Sequence, residues 1–297
     1  MRASRPSQGV RTPLLQISTA SELWPQALTE IDAAPESLWL AGRRDLLTVS
    51  PRVAIVGSRS PTPYGEDQAR RFASALAEAG VLVVSGMARG IDSTAHGAAL
   101  DAGAPTIAVL GCGVDRPWPA GALSDRMTRE GLLISEYEPG TPPRRHHFPL
   151  RNRIISGLSS AVLVVEAAWA SGSLITARWA AEQGRAVFAI PGRVDHPMAR
   201  GTHRLIREGA SLVESPEELM GELFASGGAA GAQKRIRASG ERTTPVLEAL
   251  RGETLTADEL ALRLEQPVSP VLTELVEWEL LGRVLRHPGG LYSLAGS

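Results

Sequence analysis

The sequence predicts an α/β protein: an extended Rossmann-like, doubly wound and mostly parallel sheet, followed by a small C-terminal winged-helix domain. Three observations carry this expectation. From Arg52 to about residue 192, short apolar runs alternate with amphipathic stretches. A Gly/Ala/Ser-rich stretch, ASGGAAGAQKRIRASGE over 225–241, then interrupts the pattern as a linker. Beyond it, three short helical stretches precede two short strands placed around Pro288-Gly289-Gly290.

Residues 1–20 are polar and aperiodic, and are expected to be poorly ordered at the start. Residues 21–50 read as a short helix, SELWPQALTEI, and a short apolar segment, SLWLAG. The apolar runs are RVAIVG (52–57), VLVVSG (81–86), PTIAVLG (105–111), LLISEY (132–137), AVLVVEA (161–167) and AVFAIPG (186–192). None alternates with polar residues, as expected of parallel strands buried on both faces. Between them lie stretches such as YGEDQARRFASALAEAG (64–80), whose apolar residues recur at helical spacing. Such βαβ units, joined by right-handed crossovers, build a doubly wound sheet. Residues 201–224 add one or two closing helices. The first domain therefore spans 21–224 and the winged helix 242–297, where Thr256 and Glu259 have the spacing of a capping box.

A length of 297 residues accommodates both domains. Hydrophobic residues at 43% and charged residues at 21% suit a soluble globular chain. The net charge of −1 means that any nucleic-acid site is a local patch. A single cysteine, Cys112, excludes an internal disulfide framework and a multi-cysteine zinc site. No apolar run is long enough to span a membrane, and the start, MRASRPSQGV, lacks the apolar core of a signal peptide. The expectation is a cytoplasmic protein with no membrane contact, no metal and no cofactor.

The stretch 144–157, RRHHFPLRNRIISG, holds four arginines, two histidines, a phenylalanine and an asparagine with no acid. Arg144, Arg145, Arg151 and Arg153 can neutralise phosphates, and Phe148 can stack on a base, the pairing that suits single-stranded nucleic acid. The alternative is a solvated basic loop with a buried Phe148. In a doubly wound sheet, ligands bind at the carboxyl ends of the strands. There the sequence places Gly57, Ser58 and Arg59, then Ser85, Gly86 and Arg89, then Ser171, Gly172, Ser173 and Thr176. Their N–H and O–H groups, with the two arginines, can hold an anion. Together with Asn152 these form the candidate DNA-binding set. A dinucleotide site is not expected: Gly111-Cys112-Gly113 lacks its third glycine, whose place Arg116 takes. No Walker A, nucleophile-elbow or HExxH motif occurs. Asp92 reads as a helix cap in contact with His96. Glu136 and Glu166 are either acids of an enzyme or, as favoured, partners that orient Arg151 and Arg153.

The ordered set VGSR (56–59), SGMARGID (85–92), SEYEPG (135–140), FPLRNRIISGLS (148–159), SGSLITA (171–177), PGR (191–193) and GTHRLIREGA (201–210) closely resembles the DprA/Smf family of DNA-processing proteins. The resemblance covers about residues 20–225. It implies an extended Rossmann fold that binds and protects single-stranded DNA in natural transformation and helps load the recombinase RecA. It also implies a homodimer and no established catalytic activity. Carried over, the DNA pocket uses Arg59, Phe148 and the arginines of FPLRNR. Three departures stand out. Too little chain precedes residue 50 for the helical SAM-like domain of many members. Trp118 replaces the usual tyrosine before Pro119, and the GTN motif reads Gly201-Thr202-His203. Leu205 and Ile206 are either a dimer surface or core.

The C-terminal domain resembles the winged helix of some members. Its third helix, SPVLTELVEWELL (269–281), carries Glu274, Glu277 and Glu279 and no basic residue. From Arg242 onward five arginines face eight acids, which suits a protein-interaction or dimer-stabilising module, although Arg283, Arg286 and His287 decorate the wing. Two other functions compete. One is a LOG-type nucleoside monophosphate phosphoribohydrolase, against which SGSLITA lacks a following glutamate. The other is a winged-helix transcriptional regulator, disfavoured by the acidic third helix.

Overall fold

Burial on both faces makes the six apolar runs strands. The computed structural model describes residues 13–226, 245–250, 253–264, 266–280, 284–287 and 289–294. In it, β3 (Arg52–Val56), β4 (Leu82–Ser85), β5 (Thr106–Val109), β6 (Leu132–Ser135) and β7 (Ala161–Val164) are buried at every residue, and β8 (Ala186–Ala189) at its second half. With β1 (Leu15–Ser18), β2 (Ser37–Gly42) and β9 (Ser211–Leu212) they form one sheet ordered β1-β2-β6-β5-β4-β3-β7-β8-β9. The pairs β1–β2 and β2–β6 are antiparallel and the rest parallel.

Alternate residues of each strand serve opposite faces, as the pleat requires. Val53, Ile55, Val83 and Leu163 pack under α1 (Pro63–Glu78), α2 (Ile91–Asp101) and α7 (Pro216–Ser226). Ala54, Val56, Val84 and Val164 pack under α4 (His147–Gly157) and α5 (Ser173–Glu182), where Leu28, Ile31 and Leu46 from the N-terminal segment join them. Helices α3 (Ala122–Glu130) and α6 (Arg200–Arg207) complete this unit.

The N-terminal segment corrects two expectations. Residues 15–18 are a strand, not a disordered start: Leu15 pairs with Leu40 and Ile17 with Leu38, and Ile17 is buried. Residues 1–12 lie outside the described residues. The expected helix over 21–31 is a single 3-10 turn at Gln26–Leu28. Pro25 removes a backbone donor at its start, and a turn suffices to bury Leu28 and Ile31.

The chain divides into two compact units at Gly227–Gly228. Most of the expected linker lies outside the described residues, while residues 225–226 still belong to α7. In the second unit, helices Pro245–Ala249, Ala257–Leu264 and Val268–Leu280 pack around Val246, Leu250, Leu260, Val271 and Leu275. A small sheet orders β10 (Leu255–Thr256), β12 (Leu291–Leu294) and β11 (Val284–His287). The capping box forms: Thr256 N donates to Glu259 Oε2 at 2.7 Å, and Glu259 N donates to Thr256 Oγ1 at 3.2 Å.

Candidate nucleic-acid interface

From β3 the chain winds outward through β4 and β5 to β6, then returns to place β7 on the other side of β3. The carboxyl ends of β3 and β7 therefore flank the switch point where doubly wound sheets bind ligands. A crevice of about 790 Å³ opens there, with Gly57–Ser60 on one side and Ala168 and Ala170–Ser173 on the other. The two loops meet closely: Ser58 N donates to Glu166 O at 2.8 Å. A Cβ on Gly57 would lie 2.9 Å from Glu166 O across the loops and 2.7 Å from the Ile91 side chain of α2, so glycine lets the loops approach.

Helix α4 supplies the wall. Phe148, Pro149 and Asn152 of this helix line the crevice, with Arg145 in the turn just before it. The Phe148 ring seats against the backbone of Gly111, where a Cβ would lie 3.0 Å from its Cδ1. It remains half-open to the cavity, and the exposed Arg59 sits with its guanidinium carbon 5.4 Å from the ring centroid. At the start of α5, the Ser171 and Ser173 hydroxyls hydrogen-bond at 2.8 Å, Asn152 Nδ2 donates to Gly172 O at 3.3 Å, and Thr176 lines the cavity. The arrangement joins an exposed cation, an aromatic face and hydroxyls at a helix start, which is the chemistry of a base and its phosphates.

The floor is different. Arg151 is 3% exposed and donates Nη1 to Gly86 O at 2.6 Å and also to Val109 O. Burial pulls its pKa down to about 10, with Asp92 opposing the shift. Asp92 is itself buried, which raises its carboxyl above the usual range against the pull of Arg151. His96 Nδ1 lies 2.8 Å from Thr106 Oγ1, whose proton goes to Val83 O at 2.7 Å. His96 therefore carries its proton on Nδ1, and burial lowers its pKa to about 3.

A family model described as DNA recombination-mediator protein A matches residues 16–224. The chain belongs to that family. A second model, for the DprA winged helix domain, matches residues 232–290 of this DprA-family chain. Protein Smf of Escherichia coli strain K12 is 43% identical over 288 residues, covering 94% of this chain and 77% of the relative. The X-ray structure of DNA processing protein A from Streptococcus pneumoniae superposes with a TM-score of 0.68 at 44% identity, covering 71% of this chain and 74% of that one. A structure of the Helicobacter pylori protein, described for its single-stranded DNA binding mode, gives 0.66 at 29% identity over 72% and 97%. This member of the family is a DNA-processing protein with a Rossmann-like sheet and a DprA winged helix.

Within this DprA fold, the candidate set divides. The structure brings Gly57, Ser58, Arg59, Arg145, Phe148, Asn152, Ser171, Gly172, Ser173 and Thr176 together around the crevice. Arg144 and Arg89 are exposed but outside its lining. Arg151 also lines the crevice, whereas Arg153 is a correction. Arg151 lies in the floor with its donors turned to carbonyls. Arg153 leaves the crevice and is held by Glu136 at 2.8 and 2.7 Å and by Ala33 O at 2.8 Å. On α4, residues 148, 152 and 155 line the cavity with Arg151 beneath them, while Arg153 lies well round the helix from them. Ser85 is also a correction, since its buried hydroxyl donates to Ile55 O at 2.6 Å. Gly86 presents no anion site either: a Cβ there would lie 2.6 Å from Arg151 Cζ, so its smallness makes room for that side chain.

The acids behave as partners of the scaffold. Glu136 orients Arg153 as expected, but Glu166 does not touch an arginine. It accepts from Thr62 N at 2.9 Å and Thr62 Oγ1 at 2.6 Å, tying the start of α1 to the end of β7. Asp92 accepts from Gly86 N and Ala88 N at 3.2 and 3.3 Å, so it braces the preceding loop where a helix cap and a His96 contact were expected. Leu205 packs against the core face that holds Ile154 and Ala177, and Ile206 is half-buried. The sequence reading missed Met198, which lines the crevice with its sulfur 3.7 Å from Ser58 Oγ. No local motif marks it, because a 3-10 turn at Pro197–Ala199 carries it in from far along the chain. Among the described residues, no cluster of His, Cys, Asp or Glu is placed to hold a metal, and no helix is long and apolar enough to cross a membrane.

Proposed function

We propose that this DprA-family chain binds single-stranded DNA in the switch-point crevice, protects it, and helps load RecA on it. The observation that carries this is Arg59 poised 5.4 Å from the half-open ring of Phe148, between two loops rich in N–H and O–H donors. Stacking on a ring tolerates any base, and phosphate pairing follows the backbone. A crevice walled by α4 suits a splayed strand better than a duplex. The family's description as recombination mediators and the binding mode of the H. pylori protein support the same reading.

A mobility-shift titration with single- and double-stranded oligonucleotides tests it. Preferential single-strand binding is expected, with log affinity falling against log salt by about 0.7 per phosphate neutralised. Equal affinity for duplex, or no salt dependence, defeats the proposal. For the later step, faster RecA filament assembly on coated single-stranded DNA is expected. We also propose a homodimer through the Rossmann unit, because two short crevices on one strand give avidity. Sedimentation of a chain ending near residue 225 checks it, and a monomer at tens of micromolar argues against it.

A further inference from the structure

The crevice does not end at its charged rim. On the β7 side, Ala168, Ala170 and Ser171 line the cavity, while the residue among them, Trp169, is 57% exposed. An indole left this open forgoes the burial that normally stabilises it.

The segment that carries it is held firmly. Ala167 N donates to Met198 O at 2.8 Å, Gly201 N donates to Ala167 O at 2.7 Å, and Ser171 N closes a turn onto Ala168 O at 3.0 Å. A Cβ on Gly201 would lie 2.6 Å from Ala167 O and 2.8 Å from Ala168 O, so glycine lets the start of α6 reach this loop. That approach brings Arg204 against the indole, with its guanidinium carbon 5.2 Å from the ring centroid. Arg204 Nε is in turn fixed by Glu208 Oε1 at 2.7 Å. The same helix carries the exposed Arg200 and Arg207. Trp169 is thus an open indole on an anchored stretch of backbone, beside cations and flanked by residues of the crevice wall.

We propose that Trp169 is a base-stacking platform outside the crevice: the nucleotide leaving on the β7 side stacks on the indole while the α6 arginines meet its phosphates. The inference rests on the reading of the crevice as a single-stranded DNA site. It commits to nucleic acid because the cations of α6 complement phosphate and because the platform is continuous with the crevice. Stacking of this kind is sequence-tolerant and adds affinity only where the strand is long enough to reach the ring.

The test compares the unaltered full chain with Trp169→Ala and Trp169→Phe on oligothymidylates of about 5 and about 20 nucleotides, with sedimentation velocity alongside. Trp169→Ala is expected to weaken the longer ligand roughly tenfold and leave the shorter one unchanged, the scale of losing one stacked base. Trp169→Phe should stay within about threefold on both, since a ring remains. No loss on the longer ligand overturns the platform, and so does an equal loss on both lengths, which puts the ring's role in the crevice or the fold. A loss that accompanies a changed sedimentation coefficient overturns it too, making Trp169 a contact between copies. If the unaltered chain binds neither ligand, the crevice reading itself fails and takes this inference with it.

Discussion

The rim and the floor of the crevice use the same residue types for opposite ends. On the rim, Arg59 and Arg145 stand in solvent beside a half-open Phe148. On the floor, Arg151 spends its donors on Gly86 O and Val109 O, next to a buried Asp92 and a neutral His96. Both sets are positive charges within reach of one cavity. The difference teaches that a basic run does not state how its cations are used; the helical turn on which each falls decides that. Rim substitutions should therefore act on affinity, and floor substitutions on stability.

The largest effect belongs to the floor. Arg151→Met leaves two carbonyls unpaired and Asp92 uncompensated, and should lower unfolding free energy by about 3–5 kcal/mol, the scale for breaking a buried charged pair. Urea unfolding measures it, with Gly86→Ala expected to destabilise through the same side chain. A variant at residue 151 that keeps its midpoint but loses DNA would move Arg151 to the rim and break the comparison. At the rim, Arg59→Ala should weaken single-stranded DNA binding by about 1–3 kcal/mol, and Phe148→Ala by a similar amount. Should Phe148→Ala instead unfold the chain while its folded fraction keeps full affinity, the ring is core and not a stacking surface.

Acid sharpens the contrast. The folded chain holds His96 near pKa 3, whereas an unfolded histidine titrates near 6.5. Between those values the unfolded state binds the extra proton, so stability falls as pH falls through the window. From pH 7 to pH 5 this contributes a loss of about 2 kcal/mol, which His96→Gln should remove from a urea titration series. An unchanged pH slope in that variant would assign the acid sensitivity to other groups.

The smallest effect concerns the second unit. From Arg242 onward five arginines face eight acids, and the helix Val268–Leu280 carries Glu274, whose Oε1 accepts from Trp278 Nε1 at 3.2 Å. Phosphate contacts dominate nucleic-acid affinity. Removing residues 242–297 while keeping Lys234, Arg235 and Arg237 should therefore change single-strand affinity by less than about threefold, under about 1 kcal/mol. A tenfold loss would return the wing, with Arg286 placed 6.0 Å from the Tyr292 ring centroid, to DNA binding.

Much of this was legible in the sequence because parallel strands buried on both faces are written as unbroken apolar runs. The strand ends Gly57–Ser60 and Ser171–Ser173 were legible for the same reason: they follow the runs directly. What escaped depends on approach in space. Leu15–Ser18 is too short to show a period, and its pairing with β2 is what makes it a strand. Arg151 and Arg153 look identical to Arg145 in composition, and only the start of α4 after Arg145 and the register within it separate them. Met198 and the pairing of His96 with Thr106 arise from contacts between distant segments. Glu166 reads as a possible acid until Thr62 is seen to occupy both of its oxygens.

The antiparallel strand β2 has a consequence for how the chain is made. Leu40 pairs with Ile134, and Val53 pairs with Ala161. Leu40, which can already pair with Leu15, therefore waits 134 − 40 = 94 residues for its second partner, roughly 5–20 s at the usual pace of synthesis. During that interval one side of β2, already paired with β1 on the other, and one side of β3, paired with β4 on the other, stand open as apolar edges, of the sort that invite wrong partners. The long-range pairings that draw β3 and β7 into one switch point thus form only once most of the first unit has been synthesised, the kind of topology that folds slowly.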